Sequence, residues 1–156
     1  MNRLTGTILL LLGAIMLTSC GKDNLYMKNV PLDKDGWPAD QFIRFEVPVT
    51  DILGAYTIFL QVRNDGRYET SNLWLFITTY SPTGATLRDT LECKLADEEG
   101  RWLGRGSGGR FSLEIPFRYQ VRFPEKGTYL FEIEHGMRTK KLSYITDLGL
   151  RIEKAG

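Results

Sequence analysis

The residues Gly104-Arg105-Gly106-Ser107-Gly108-Gly109 match the G-x-G-x-x-G pattern whose backbone N–H groups cradle a phosphate. That chemistry needs a strand before the loop and a helix N-terminus after it, so that the helix dipole meets the anion. Here a strand-like alternation follows, which predicts a flexible loop without phosphate. The single histidine, His135, and the two cysteines, Cys20 and Cys93, cannot assemble the nitrogen and sulfur sets that zinc favours. Calcium needs only oxygens, and Asp33-Lys34-Asp35-Gly36 opens like a calcium loop, but the later acidic ligands and the bidentate glutamate are missing. That cluster and Asp97-Glu98-Glu99-Gly100 read as solvated turns. No metal and no other cofactor is expected.

Nucleophilic hydrolysis requires a histidine beside a serine and oriented by a carboxylate. Gly106-Ser107-Gly108 comes near a nucleophile elbow without completing it, and His135 at a strand end reads as structural. No spacing marks a carboxylate pair for glycoside chemistry. The chain is therefore expected to have no catalytic residues and not to be an enzyme. Trp74 falls inside a strand and reads as core. Trp37 and Trp102 fall in loops, where a ring serves as a contact surface for protein or, alternatively, as a sugar-stacking platform.

The elements that must hold these residues begin after a leader. Arg3 precedes an apolar run from Ile8 to Leu17, then Leu17-Thr18-Ser19-Cys20 and Gly21. The run is about ten residues, half of the roughly twenty that a helix needs to span a bilayer. It reads as a cleaved signal covering residues 1–19. The small pair before Cys20 resembles the lipobox of bacterial lipoproteins, in which the thiol receives diacylglycerol and the new amine is acylated in turn. Two or more chains make a stable anchor. Gly21 is not the aspartate that retains lipoproteins in an inner membrane, so delivery to the outer membrane is expected, with the periplasmic face favoured over the cell surface.

Cleavage removes Arg3, one of 20 basic residues, and leaves 19 against 19 acidic residues, a formal net charge of zero. A neutral chain with no basic run lacks the footprint of a nucleic-acid binder. With Cys20 acylated, Cys93 has no partner for a disulfide. Residues 20–40 carry Pro31, Gly36 and Pro38 without any period, and read as the lipidated N-terminus and a tether.

Residues 41–154 read as one all-β domain. Ile43, Phe45, Val47 and Val49 alternate with polar neighbours, as do Tyr56, Ile58, Leu60 and Val62. Asn64-Asp65-Gly66 then predicts a hairpin. Leu73 to Tyr80 is apolar on both faces, as in a central strand. Further alternations follow around Leu91 and Cys93, Phe111 to Phe117, Tyr129 to His135, and Leu148 to Ile152. Seven or eight such strands predict an antiparallel β-sandwich of immunoglobulin-like type.

Several segments together resemble the GldH-type gliding-motility lipoproteins of diderm gliding bacteria and their non-gliding relatives. The resemblance rests on Cys20, the Trp37 region and Asn72-Leu73-Trp74-Leu75. It rests also on the series from Asp89-Thr90-Leu91 through Ala96-Asp97 to Gly100-Arg101-Trp102-Leu103-Gly104-Arg105-Gly106, and on His135-Gly136-Met137-Arg138. It implies a non-enzymatic accessory lipoprotein linked to gliding and type IX secretion, whose partners are other envelope proteins. It marks the Trp102 loop with Arg105, and the turn from His135 to Arg138, as places to look for contact, with a tryptophan plugging the end of the sandwich as the alternative for the loop.

Overall fold

A computed structural model describes residues 24–156. The expected signal peptide and Cys20, the expected acylation site, lie outside the described residues. Among those described there are eleven strands and no helix. They are β1 (Asn24–Pro31), β2 (Trp37–Pro38), β3 (Ile43–Val49), β4 (Tyr56–Asp65), β5 (Asn72–Tyr80) and β6 (Thr86–Lys94), then β7 (Arg105–Ser107), β8 (Arg110–Val121), β9 (Gly127–His135), β10 (Lys141–Leu142) and β11 (Ile145–Lys154).

Every pairing is antiparallel. One sheet has the order β1-β11-β4-β8-β7, a second has β3-β9-β5-β6, and β10 and β2 form a small separate ribbon. The period-two residues explain why these pair as a sandwich. Phe45 and Val47 of β3, Leu75 and Ile77 of β5, and Phe131 and Ile133 of β9 turn inward from one sheet. Leu60 and Val62 of β4 and Leu148, Leu150 and Ile152 of β11 turn inward from the other. In a strand with one wet face, alternation of this kind fixes register, since a slip of one residue would invert every side chain.

The seven long strands expected from alternation are all present. Four elements were not foreseen, and each is held by something other than an alternating pattern. β1 is the largest departure, because residues 24–31 fall within the segment expected to be a tether. Its backbone pairs with β11 from Asn24 opposite Glu153 to Pro31 opposite Asp147, while Leu25, Tyr26 and Val30 rest on the core. Ladder hydrogen bonds to an existing sheet edge hold a strand whose own side chains are mostly exposed.

The glycine-rich loop is also ordered, as the β7–β8 hairpin. Ser107 pairs with Arg110 across Gly108 (φ 64°) and Gly109 (φ 78°), the two left-handed residues of a type I′ turn. Gly106 is required by close approach, because a Cβ there would lie 1.7 Å from the Arg110 carbonyl oxygen. Asn64-Asp65-Gly66, by contrast, makes no hairpin. β4 and β5 belong to different sheets, and Gly66 N–H donates to Gly109 O at 2.7 Å while the chain crosses from one sheet to the other.

The sandwich has two ends. At the first lie Asn24, the end of β11 and the connections 50–55, 81–85 and 122–126. At the far end lie the connections 32–42, 66–71, 95–104 and 136–144 and the tip of the β7–β8 hairpin. β1 runs from one to the other, roughly 26 Å at about 3.3 Å per residue.

Candidate functional site

The two-sided apolarity of β5 has a surface consequence. Leu73, Leu75 and Ile77 are fully buried, but their neighbours on the outer face are not: Trp74 is 38% exposed and Phe76 is half-buried. The 136–144 connection arches beside them. Gly136 N–H donates to Trp74 O at 2.7 Å, and Trp74 N–H points at the Met137 sulfur at 3.3 Å. Gly136 lies so close to Phe76 that a Cβ would come within 2.9 Å of the ring. Between the arch and the strand runs an open groove of about 920 Å³, floored by Trp74 and Phe76 and walled by Met137, Arg138, Lys141 and Tyr144.

The groove is braced from both sides. Tyr144 adopts a left-handed backbone (φ 70°) while its carbonyl accepts from Asp65 N–H at 2.8 Å. The Arg67 guanidinium lies 4.8 Å over its ring, and Asp65 grips that guanidinium through two 2.9 Å bonds. Those side-chain bonds, with the Arg67 N–H, hold the Asp65 carboxyl down at about 2. On the outer sheet face, Arg88 stacks 4.9 Å over Phe76 and pairs with Glu134 at 2.5 Å, and Arg44 pairs with Glu132 at 2.6 Å. Exposed pairs of this kind contribute little to stability. They set a charged row beside an aromatic floor.

The residues singled out from sequence separate into three groups. Arg138 lines the groove. Trp37 and His135 are not surface residues: Trp37 is 0% and His135 3% exposed. Trp37 Nε1–H donates to Gln41 O at 2.9 Å, so the indole closes its own connection from inside. Burial lowers the basicity of His135, and both its nitrogens are occupied by Trp37 O and Met137 N–H. Trp102 and Arg105 do not line the groove. Trp102 is half-buried and packs between Tyr68 and Phe111, with ring centroids at 6.4 and 5.9 Å, as a plug in the far end. Arg105 is exposed on β7.

Sequence reasoning missed Trp74, Lys141 and Tyr144, and reached Met137 only as part of the turn from His135 to Arg138. A signal for Trp74 existed, since a strand apolar on both faces in a sheet with one wet face leaves half its apolar residues outside. Trp37 and Trp74 thus exchange roles. A loop position does not expose a ring that the loop folds over, and a strand position does not bury one that faces outward.

Among the described residues, no three or more His, Cys, Asp or Glu side chains gather as a metal group. The Cys93 thiol is buried, and burial pushes its pKa up to about 12. A second crevice of about 310 Å³ opens on the flank between β6 and β8, lined by Leu87, Phe117, Val121 and Phe123. These edges are poor templates for an added strand. Pro116 has no N–H, the ladder to β4 is irregular on both sides of Ile58, and an Arg118–Asp89 ion pair spans the gap.

The GldH lipoprotein family model matches residues 24–152. The Christiangramia forsetii protein named gliding motility lipoprotein GldH homolog is 32% identical, over 90% of this chain and 90% of its own length. Gliding motility lipoprotein GldH of Flavobacterium johnsoniae is 31% identical, over 97% of this chain and 98% of its own. Among solved structures, Pseudomonas aeruginosa AlgX aligns with 88% of this chain at 18% identity and a TM-score of 0.42. This chain spans 28% of that one, and a likeness so slight carries no argument.

Proposed function

The chain belongs to the GldH lipoprotein family, and on that premise we propose that it is a non-enzymatic accessory lipoprotein of the outer membrane, acylated at Cys20, that serves gliding motility and type IX secretion by binding other envelope proteins. The observation that supports this reading is the far-end groove. Its aromatic floor of Trp74 and Phe76, with Met137 and Arg138 beside it, has the composition of a protein contact centre, in which aromatic, methionine and arginine side chains are enriched. Arg105 and the Trp102 plug lie at the same end of the sandwich, outside the groove.

Site-specific photocrosslinking in living cells tests it. A benzophenone side chain at Trp74 or Arg138 is expected to give the same covalent adduct with an envelope protein, and one placed at Met27, exposed on the opposite sheet, to give none. Groove positions that yield no adduct would remove the reading. Protease treatment of intact cells decides the facing of the domain, and protection agrees with the periplasmic side.

A surface carbohydrate-binding role is the second reading, favoured by one observation: the exposed Trp74 and Tyr144 rings share a groove with polar groups. A glycan array that includes the organism's own polysaccharides separates the two. Binding abolished by Trp74→Ala supports the glycan reading, and silence across the array discards it.

A further inference from the structure

We infer that the end of the sandwich bearing the 50–55 connection rests on the bilayer that holds the acyl chains of Cys20, with Leu53 at its apolar boundary, so that the groove faces away from the membrane. The inference rests on the acylation proposed above. Cys20 precedes Asn24 by four residues, and four Cα–Cα steps span no more than about 14 Å. Asn24 is not the free end of a leash. It is already paired with Glu153 in the ladder, and its Oδ1 accepts from Arg151 Nη1 at 3.3 Å. The twenty-residue tether suggested by composition is therefore a four-residue one. An anchor this short keeps the first end of the domain within reach of the headgroups and sets the groove a strand length, roughly 26 Å, beyond.

The surface held there has an apolar point. Leu53 is 83% exposed, the most exposed large hydrophobic side chain among the described residues. It is presented by a built turn. The Asp51 carboxylate accepts from Leu53 N–H at 2.9 Å and Gly54 N–H at 3.3 Å, Arg122 donates to Leu53 O at 3.0 Å, and Tyr56 Oη–H donates to Asp51 O at 3.0 Å. These bonds point the leucine away from the core. Arg122 and Lys154 are bonded to this same turn, and Lys126 lies in the 122–126 connection at this end; long stems of this kind lie along an apolar boundary while their charges stay among headgroups. The acids at this end are engaged: Asp51 with Lys154 at 3.4 Å, Glu153 with Arg151, and Glu125 with Thr83 Oγ1–H at 2.8 Å.

The three native tryptophans supply an internal control, because Trp37, Trp74 and Trp102 all belong to far-end elements or to the far end of β5. Full-length acylated protein is reconstituted in phosphatidylethanolamine and phosphatidylglycerol vesicles whose acyl chains are brominated, and tryptophan emission is compared with that in unbrominated vesicles. In the Leu53→Trp variant the added emission is expected to fall about two-fold or more, as for a ring seated some 5–10 Å into the boundary, with the native emission unchanged. Vesicle flotation with unquenched Leu53→Trp emission overturns the inference alone. Flotation of Cys20→Ser equal to wild type overturns the acylation reading, and the inference with it.

Discussion

His135 and Trp37, 98 residues apart, are joined by an Nε2–H bond to the Trp37 carbonyl at 3.1 Å, with the rings edge to face at 5.3 Å. Met137 N–H donates into Nδ1 at 3.3 Å, so the imidazole is neutral and carries its proton on Nε2. One side chain thus fastens the β2 ribbon to the end of β9 and fixes the residue at which the groove wall begins.

The burial of this imidazole, which outweighs the opposing pull of its bond to the Trp37 carbonyl, makes stability depend on pH in a definite direction. Burial lowers the folded pKa of His135 below its ordinary value of about 6.5, so on acidification the unfolded chain takes up the proton first. The stabilisation is complete above about 6.5 and is lost as pH falls from there through the lower folded value. Thermal melts between pH 7.5 and 5 are expected to fall more steeply for wild type than for His135→Gln. Parallel curves would show that the histidine is not the group responsible.

The tryptophans are expected to part stability from contact. Trp37→Ala removes a fully buried ring and should cost about 3–5 kcal/mol in urea unfolding. Trp74→Ala, from an outer face, should cost no more than about 1–2 kcal/mol while abolishing the groove crosslink. Equal stability losses would place Trp74 in the core after all.

The β7–β8 hairpin depends on two glycines for different reasons. Gly109→Ala places a Cβ on a left-handed residue with open space around it and should cost about 1–2 kcal/mol. Gly106→Ala has no such latitude, because its Cβ would overlap the Arg110 carbonyl, and the hairpin must open. Hydrogen exchange should show fast exchange across 105–112 in the second variant and near-native protection in the first.

On the outer face of the five-stranded sheet, Arg151 makes a two-pronged bond to Glu114 at 2.8 and 2.5 Å and lies 4.3 Å over the Phe59 ring. It is buried while Glu114 is exposed, so solvent screens part of the pairing. Arg151→Ala should cost about 2–3 kcal/mol, since it leaves Glu114 and Glu153 facing each other. Arg151→Lys should recover less than half of that, because an ammonium offers neither the planar fork nor the stacked face. Urea midpoints at constant slope measure both.

The pattern of residues determined the class of fold. Seven long strands, their inward faces and the sandwich follow from alternation, because a half-buried strand must place apolar residues at every second position whatever its partners are. Sequence also marked Arg138 and, through His135-Gly136-Met137-Arg138, the segment that walls the groove. Tertiary structure alone decided what depends on distant partners. β1 became a strand because the β11 edge was there to receive it. Asn64-Asp65-Gly66 became a crossing because its neighbours lie in the other sheet, and the glycine run became a hairpin because β8 continued past it. Trp37 went inside under its own connection, and Trp74 stayed outside on a strand that one sheet covers on a single face. Local pattern records which side of an element is apolar. Which side meets another layer is a property of the whole packing, and the groove is built from that difference.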